Sequence, residues 1–114
     1  MPRPSDVSRS EVIAILRAIA NGTILVWSTE PIPYCGNAEY VTAVSIQLVF
    51  FIDCDELDYL DFITIGDRTA DFDDLWDQAS FSDPIDQLTP DEQQQLEDLL
   101  FTTPMMCSTR ALSY

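Results

Sequence analysis

A chain of 114 residues with 46% apolar composition is long enough for one compact domain and too apolar for wholesale disorder. Twenty acids stand against five arginines, with no lysine and no histidine; the formal charge of −15 repels nucleic acid and anionic membranes and attracts basic partners. The same composition excludes a histidine-based nucleophile, a lysine base and a Schiff base.

Residues 1–7 contain two prolines and are expected to be loose. Ser8-Arg9-Ser10-Glu11 has the capping-box spacing. Val12, Ile15, Leu16 and Ile19 then recur at helical intervals before Asn21-Gly22, which predicts a helix over 9–20. TILVWS (23–28) reads as a strand and EPIPYCGN (30–37) as a loop. The β-branched and aromatic run at 38–52 reads as one strand, with Val44, Ile46, Leu48, Phe50 and Ile52 on one face. Val49 and Phe51 make its other face apolar too, which predicts a central place in the sheet. Asp53-Cys54-Asp55-Glu56 predicts a turn, LDYLDFITI (57–65) an antiparallel return, and Gly66-Asp67 its close.

Asp71 is a suitable N-cap for FDDLWDQAS, read as a helix with Phe72, Leu75, Trp76 and Ala79 on one face and Asp73, Asp74 and Asp77 on the other. Thr89-Pro90-Asp91-Glu92 starts another helix, with Leu96, Leu99 and Leu100 as its apolar seam and an end near Phe101. The expected fold is α+β: an antiparallel sheet of three to four strands, with an N-terminal helix and two C-terminal helices packed on it. One domain is expected over 1–114, with 1–7 and 102–114 as loose termini.

The acids are unevenly placed. Residues 1–52 carry four acids and three arginines, whereas residues 53–98 carry sixteen acids and Arg68. DCDELDYLD (53–61) sets five carboxylates directly after the apolar run VSIQLVFFI. The simplest explanation is a solvated face that keeps a small protein soluble. The cost argues for more. On the expected helix, Asp73 and Asp77 are i,i+4 and Asp74 and Asp77 are i,i+3, and like charges at those spacings destabilise by a few tenths of a kcal/mol.

Other chemistry finds little footing. Cys35, Cys54 and Cys107 form no CxxC pair and have no zinc spacing, so neither a disulfide framework nor a metal is expected, and a reducing compartment is favoured. No run approaches the ~20 apolar residues of a membrane helix, and the N-terminal stretch lacks a signal-peptide pattern; the expected location is the cytoplasm, with no membrane partner. Gly22, Gly36 and Gly66 are too far apart for a phosphate loop. Asp53 and Asp55 open like a calcium loop, but Asp58 stands where glycine is required and Thr64 where glutamate is. A carboxylate acid–base pair has no specific signal among so many acids. No cofactor is expected.

The favoured reading is therefore a non-enzymatic protein that binds and inhibits a basic, nucleic-acid-handling partner. Its contact residues would be Asp53, Asp55, Glu56, Asp58, Asp61, Asp73, Asp74 and Asp77, their carboxylates imitating phosphates, with no direct binding of nucleic acid. Phage-encoded inhibitors of bacterial defence, anti-CRISPR proteins among them, are analogous in charge and size. Immunity proteins that neutralise toxins are the alternative within this class. A carboxylate-based cation-binding domain is the alternative outside it. A monomer or a homodimer is compatible with either.

The segment DCDELDYLD, then DFDDLW, then DP and L, then EQQQLEDLL resembles a family of small bacterial domains of unknown function over about residues 53–100. CDELDY and DFDDLW are its most specific parts. The resemblance implies a bacterial or phage origin and a single compact domain, and it carries over no catalytic residue.

Overall fold

The computed structural model describes residues 7–80 and 82–105. The expectations for residues 1–6, for Cys107 and for the tail from 106 lie outside those residues. Helix α1 spans Arg9–Ala20, over the expected range. Ser8 Oγ accepts the Glu11 amide at 3.1 Å, which satisfies one of the amides a helix start leaves unpaired. The reciprocal half of the capping box is not made. The Glu11 carboxylate instead holds Arg68 in a bidentate pair of 3.2 and 2.8 Å.

The sheet has five strands, β1 Val26–Ser28, β2 Gly36–Thr42, β3 Ile46–Asp53, β4 Glu56–Ile65 and β5 Arg68–Asp71, paired antiparallel in that order. This corrects the expected count of three to four in two places. The run at 38–52 is not one strand. It belongs to a hairpin that turns at Ala43-Val44-Ser45, where Thr42 Oγ1 accepts the amides of Val44 (3.3 Å) and Ile46 (3.0 Å). Ser45 takes a left-handed φ of 65° there without glycine, and Val44, expected to share a face with Ile46, Leu48, Phe50 and Ile52, is 61% exposed in the turn. The second addition is β5, a four-residue strand after Gly66-Asp67 whose polar sequence RTAD gives little strand signal. The expected central position of the apolar run holds for β3, which has two strands on either side.

The return strand departs from simple alternation. β3 and β4 pair Val49 with Phe62, Phe50 with Leu60, Phe51 with Tyr59 and Ile52 with Leu57, so Asp61 and Asp58 are each the extra residue of a β-bulge. The bulges convert the usual period of two into a local period of three. Leu57, Leu60 and Ile63 thereby share the inner face, and Tyr59 and Phe62 the outer. Each bulge has a carboxylate supplied from the helical layer. Glu97 Oε2 accepts the Leu57 amide at 2.9 Å, and Asp83 Oδ2 accepts the Leu60 amide at 3.3 Å.

The inner face carries Ala38, Tyr40, Leu48, Phe50, Ile52, Leu60, Ile63 and Ala70, all buried with Val12, Leu16 and Ile19 of α1. Helix α3, Pro90–Thr102, adds Leu96 and Leu100, and its start is the expected one. Thr89 Oγ1 accepts the Glu92 amide at 3.1 Å and Glu92 Oε1 accepts the Thr89 amide at 2.9 Å. Tyr40 stands edge-on to Phe50, and its hydroxyl donates to the Leu100 carbonyl at 2.9 Å. Val7 is fully buried, and Ser28 at the β1 edge takes the Pro104 carbonyl and bridges to Met105.

A second C-terminal helix, expected over FDDLWDQAS, is only a single turn, α2 Phe72–Leu75. Two contacts and one backbone angle stop it. Arg9 Nε donates to the Leu75 carbonyl at 3.0 Å, Asp77 pairs with Ser82 as an isolated antiparallel bridge, and Trp76 is extended with ψ 133°. Continuing the helix would also set Asp77 beside Asp73 and Asp74 at its negative C-terminal end. A 3-10 turn, Pro84–Gln87, then leads to α3.

Candidate functional site: the open acidic and aromatic face

The helices cover one face of the sheet, and strand alternation leaves the other to solvent. Cross-strand neighbours build it in rows: Trp27, Val41, Gln47, Thr64 and Thr69; then Glu39, Val49, Phe62 and Asp71; then Asn37, Phe51 and Tyr59. Phe51 stacks on Tyr59 with centroids 5.2 Å apart and planes 17° apart. Tyr59 meets Phe72 at 4.6 Å, and Phe72 meets Trp76 at 5.4 Å. These four rings form a continuous, half-buried ladder across β3, β4 and α2. Phe50 is fully buried, whereas Phe51, Phe72 and Trp76 lie outside the buried core.

Carboxylates flank the ladder. Asp61, Asp71 and Asp73 line a shallow hollow of about 360 Å³ with Tyr59, Phe62 and Phe72. Burial raises the Tyr59 phenol pKa, and the charges of Asp61 and Asp58 on either side raise it further. A neighbouring groove of about 380 Å³ runs over Glu39, Val41, Gln47 and Val49 to the same Phe62, itself 37% exposed. Arg9 binds the segment at Leu75–Asp83, Arg17 pairs with Glu92 at 2.8 Å, and Arg68 pairs with Glu11, so all three lie with the helical layer.

The eight acids singled out from the sequence thus divide. Asp58, Asp61 and Asp73 gather about the rings. Asp53, Asp55 and Glu56 sit exposed at the tip of the β3–β4 hairpin. Asp74 is a capping group that accepts the Asp71 amide at 3.1 Å while Asp71 accepts the Asp74 amide at 3.0 Å. Asp77 holds the Ser80 hydroxyl and the Ala79 amide, and the Ser80 bond above all lowers its pKa. The cost argument from an Asp73–Asp77 helical pair therefore falls, because Asp77 is not on the helix.

Sequence reasoning did not find the aromatic ladder or the surroundings of Asp53. The ladder depends on the two bulges, whose signal is the repeated triplet LDY-LDF within β4. At the hairpin tip, Cys54 and Asp55 both take left-handed φ values, 53° and 68°. Pairing of Gly36 with Ile52 brings the preceding loop alongside, where the Asp55 amide reaches the Tyr34 carbonyl at 2.8 Å and the Cys54 amide reaches Cys35 Sγ at 3.4 Å.

Residues 6–102 match the family model described as a domain of unknown function, DUF7693, and the chain belongs to that family. No curated protein and no solved structure matches it. No helix among the described residues is long and apolar enough to cross a membrane.

Proposed function

We propose that this domain is a non-enzymatic interaction module whose open sheet face receives a basic segment of a nucleic-acid-handling protein and obstructs its nucleic-acid site. The observation that carries the reading is the ladder Phe51–Tyr59–Phe72–Trp76 with Asp58, Asp61 and Asp73 beside it. Guanidinium groups suit such a surface. They stack on aromatic rings and take carboxylates in a planar fork, and cation–π contact contributes about 0.5–1 kcal/mol at an exposed site. The net charge of −15 steers a cationic partner inward and rejects nucleic acid itself.

The test uses immobilised full-length protein and a lysate in which basic nucleic-acid-binding proteins are present. Wild type should retain such proteins, less so as salt is raised, and added duplex DNA should displace them. The triple variant Asp58→Lys, Asp61→Lys, Asp73→Lys should lose them while keeping the wild-type circular dichroism. Asp74 and Asp77 are left alone because their carboxylates hold backbone and hydroxyl groups. Equal retention by wild type and the triple variant overturns the proposal.

A further inference from the structure

A second cluster, away from the ring ladder, joins groups that are distant in sequence. The thiols of Cys35 and Cys54 and the carboxylate of Asp53 are exposed, and their ligating atoms lie within 4.8 Å of one another. Two segments supply them: the loop entering β2 and the tip of the β3–β4 hairpin. Both are held by backbone contacts, the Asp55 amide on the Tyr34 carbonyl and the Gly36–Ile52 pairing. Cys35 Sγ also lies 3.6 Å from Asp53 Oδ1 and accepts the Cys54 amide at 3.4 Å.

We propose that Cys35, Cys54 and Asp53 form a binding site for a thiophilic divalent cation of the zinc class. Two thiolates and one carboxylate are a borderline-soft donor set, unsuited to calcium or magnesium. Tetrahedral zinc with Zn–S of about 2.3 Å needs its ligand atoms roughly 3.5–3.8 Å apart, so small rotations of exposed side chains bring the three donors to bonding distance. Three protein ligands at the surface leave a fourth position open to solvent. Asp55 and Glu56 beside the site add negative charge that draws a cation in. The spacing of 19 residues between the cysteines matches no linear zinc motif, because the meeting comes from strand register.

The test is a titration of the full chain, reduced with a non-thiol reductant, with Co²⁺ and Cd²⁺, read by the thiolate-to-metal charge-transfer band, followed by competition with Zn²⁺. One ion per chain is expected. Cys35→Ser and Cys54→Ser should each weaken the band and lower affinity by about tenfold or more, and Asp53→Asn should lower affinity while keeping the band. Cys107→Ser should behave as wild type. Both site cysteines are exposed, so the serine variants should fold, and their melting curves without metal check this. Absence of a band in reduced wild type, or a band that survives loss of both Cys35 and Cys54, overturns the proposal. Neither result bears on the ring-ladder face, which lacks these thiols.

Discussion

Replacing Asp83 by asparagine tests how the bulged strand is held. Asp83 is 2% exposed, its Oδ2 accepts the Leu60 amide, and its own amide donates to Asp86 Oδ2 at 3.1 Å. Burial first, and then the neighbouring Asp86 carboxylate, push its pKa up from 3.8 to about 7. The native state therefore keeps a proton that the unfolded chain releases near 3.8. Across that window the native state binds more protons than the unfolded one, so stability falls as pH rises from about 4 to about 7 and then levels off. At about 1.4 kcal/mol per pH unit, the gap between 3.8 and about 7 sets a ceiling of about 4 kcal/mol on this loss.

Asparagine keeps an oxygen for the Leu60 amide, can donate to Asp86 and cannot ionise. The stability of Asp83→Asn relative to wild type should therefore grow by about 1–3 kcal/mol between pH 5 and pH 8, within that ceiling. The assay is urea denaturation from pH 4.5 to 8.5 at fixed ionic strength, taking the difference between variant and wild type. The difference removes the general effect of charging the other carboxylates. A variant destabilised equally at every pH, or a difference that shrinks as pH rises, refutes the reasoning.

Two further substitutions probe the frame. Tyr40→Phe removes the buried hydroxyl that reaches the Leu100 carbonyl, and should cost about 1–2 kcal/mol in urea unfolding without altering the circular dichroism spectrum. Ser45→Gly relieves the left-handed φ of 65° in the β2–β3 turn and should raise stability by about 0.5–1 kcal/mol, read as a higher melting temperature; a lower one would show that the Ser45 conformation is not strained.

Helices α1 and α3 were legible because their starts are written locally: Ser8 and Thr89 bind the amides three residues on, and the apolar seams repeat at helical intervals. The β3–β4 hairpin was legible because apolar alternation ends abruptly at Asp53. The missed features depend on partners remote in the chain. The turn at Ala43–Ser45 contains no glycine or proline and is made by the Thr42 hydroxyl. Helix α2 stops because Arg9, 66 residues away, takes the Leu75 carbonyl. Strand β5 is polar and gains its place through Arg68 on Glu11 and Ala70 opposite Ile63.

The candidate face shows the same division in its chemistry. Composition disclosed how many acids there are, but not what each one holds. Asp83 and Glu97 turn inward to the amides of Leu60 and Leu57, beside the bulges made by Asp61 and Asp58. Asp71, Asp74 and Glu92 cap helices. Much of the acidic block therefore acts as internal hydrogen-bond acceptors, and the net charge overstates what is offered to a partner. The same two bulges that call for inward carboxylates rotate Tyr59 and Phe62 onto the open face, with Asp58 and Asp61 beside Tyr59. Loss of either bulge should disturb the inner amide contacts and the outer ring ladder together, because a shift of one residue in β4 moves every side chain beyond it to the opposite face.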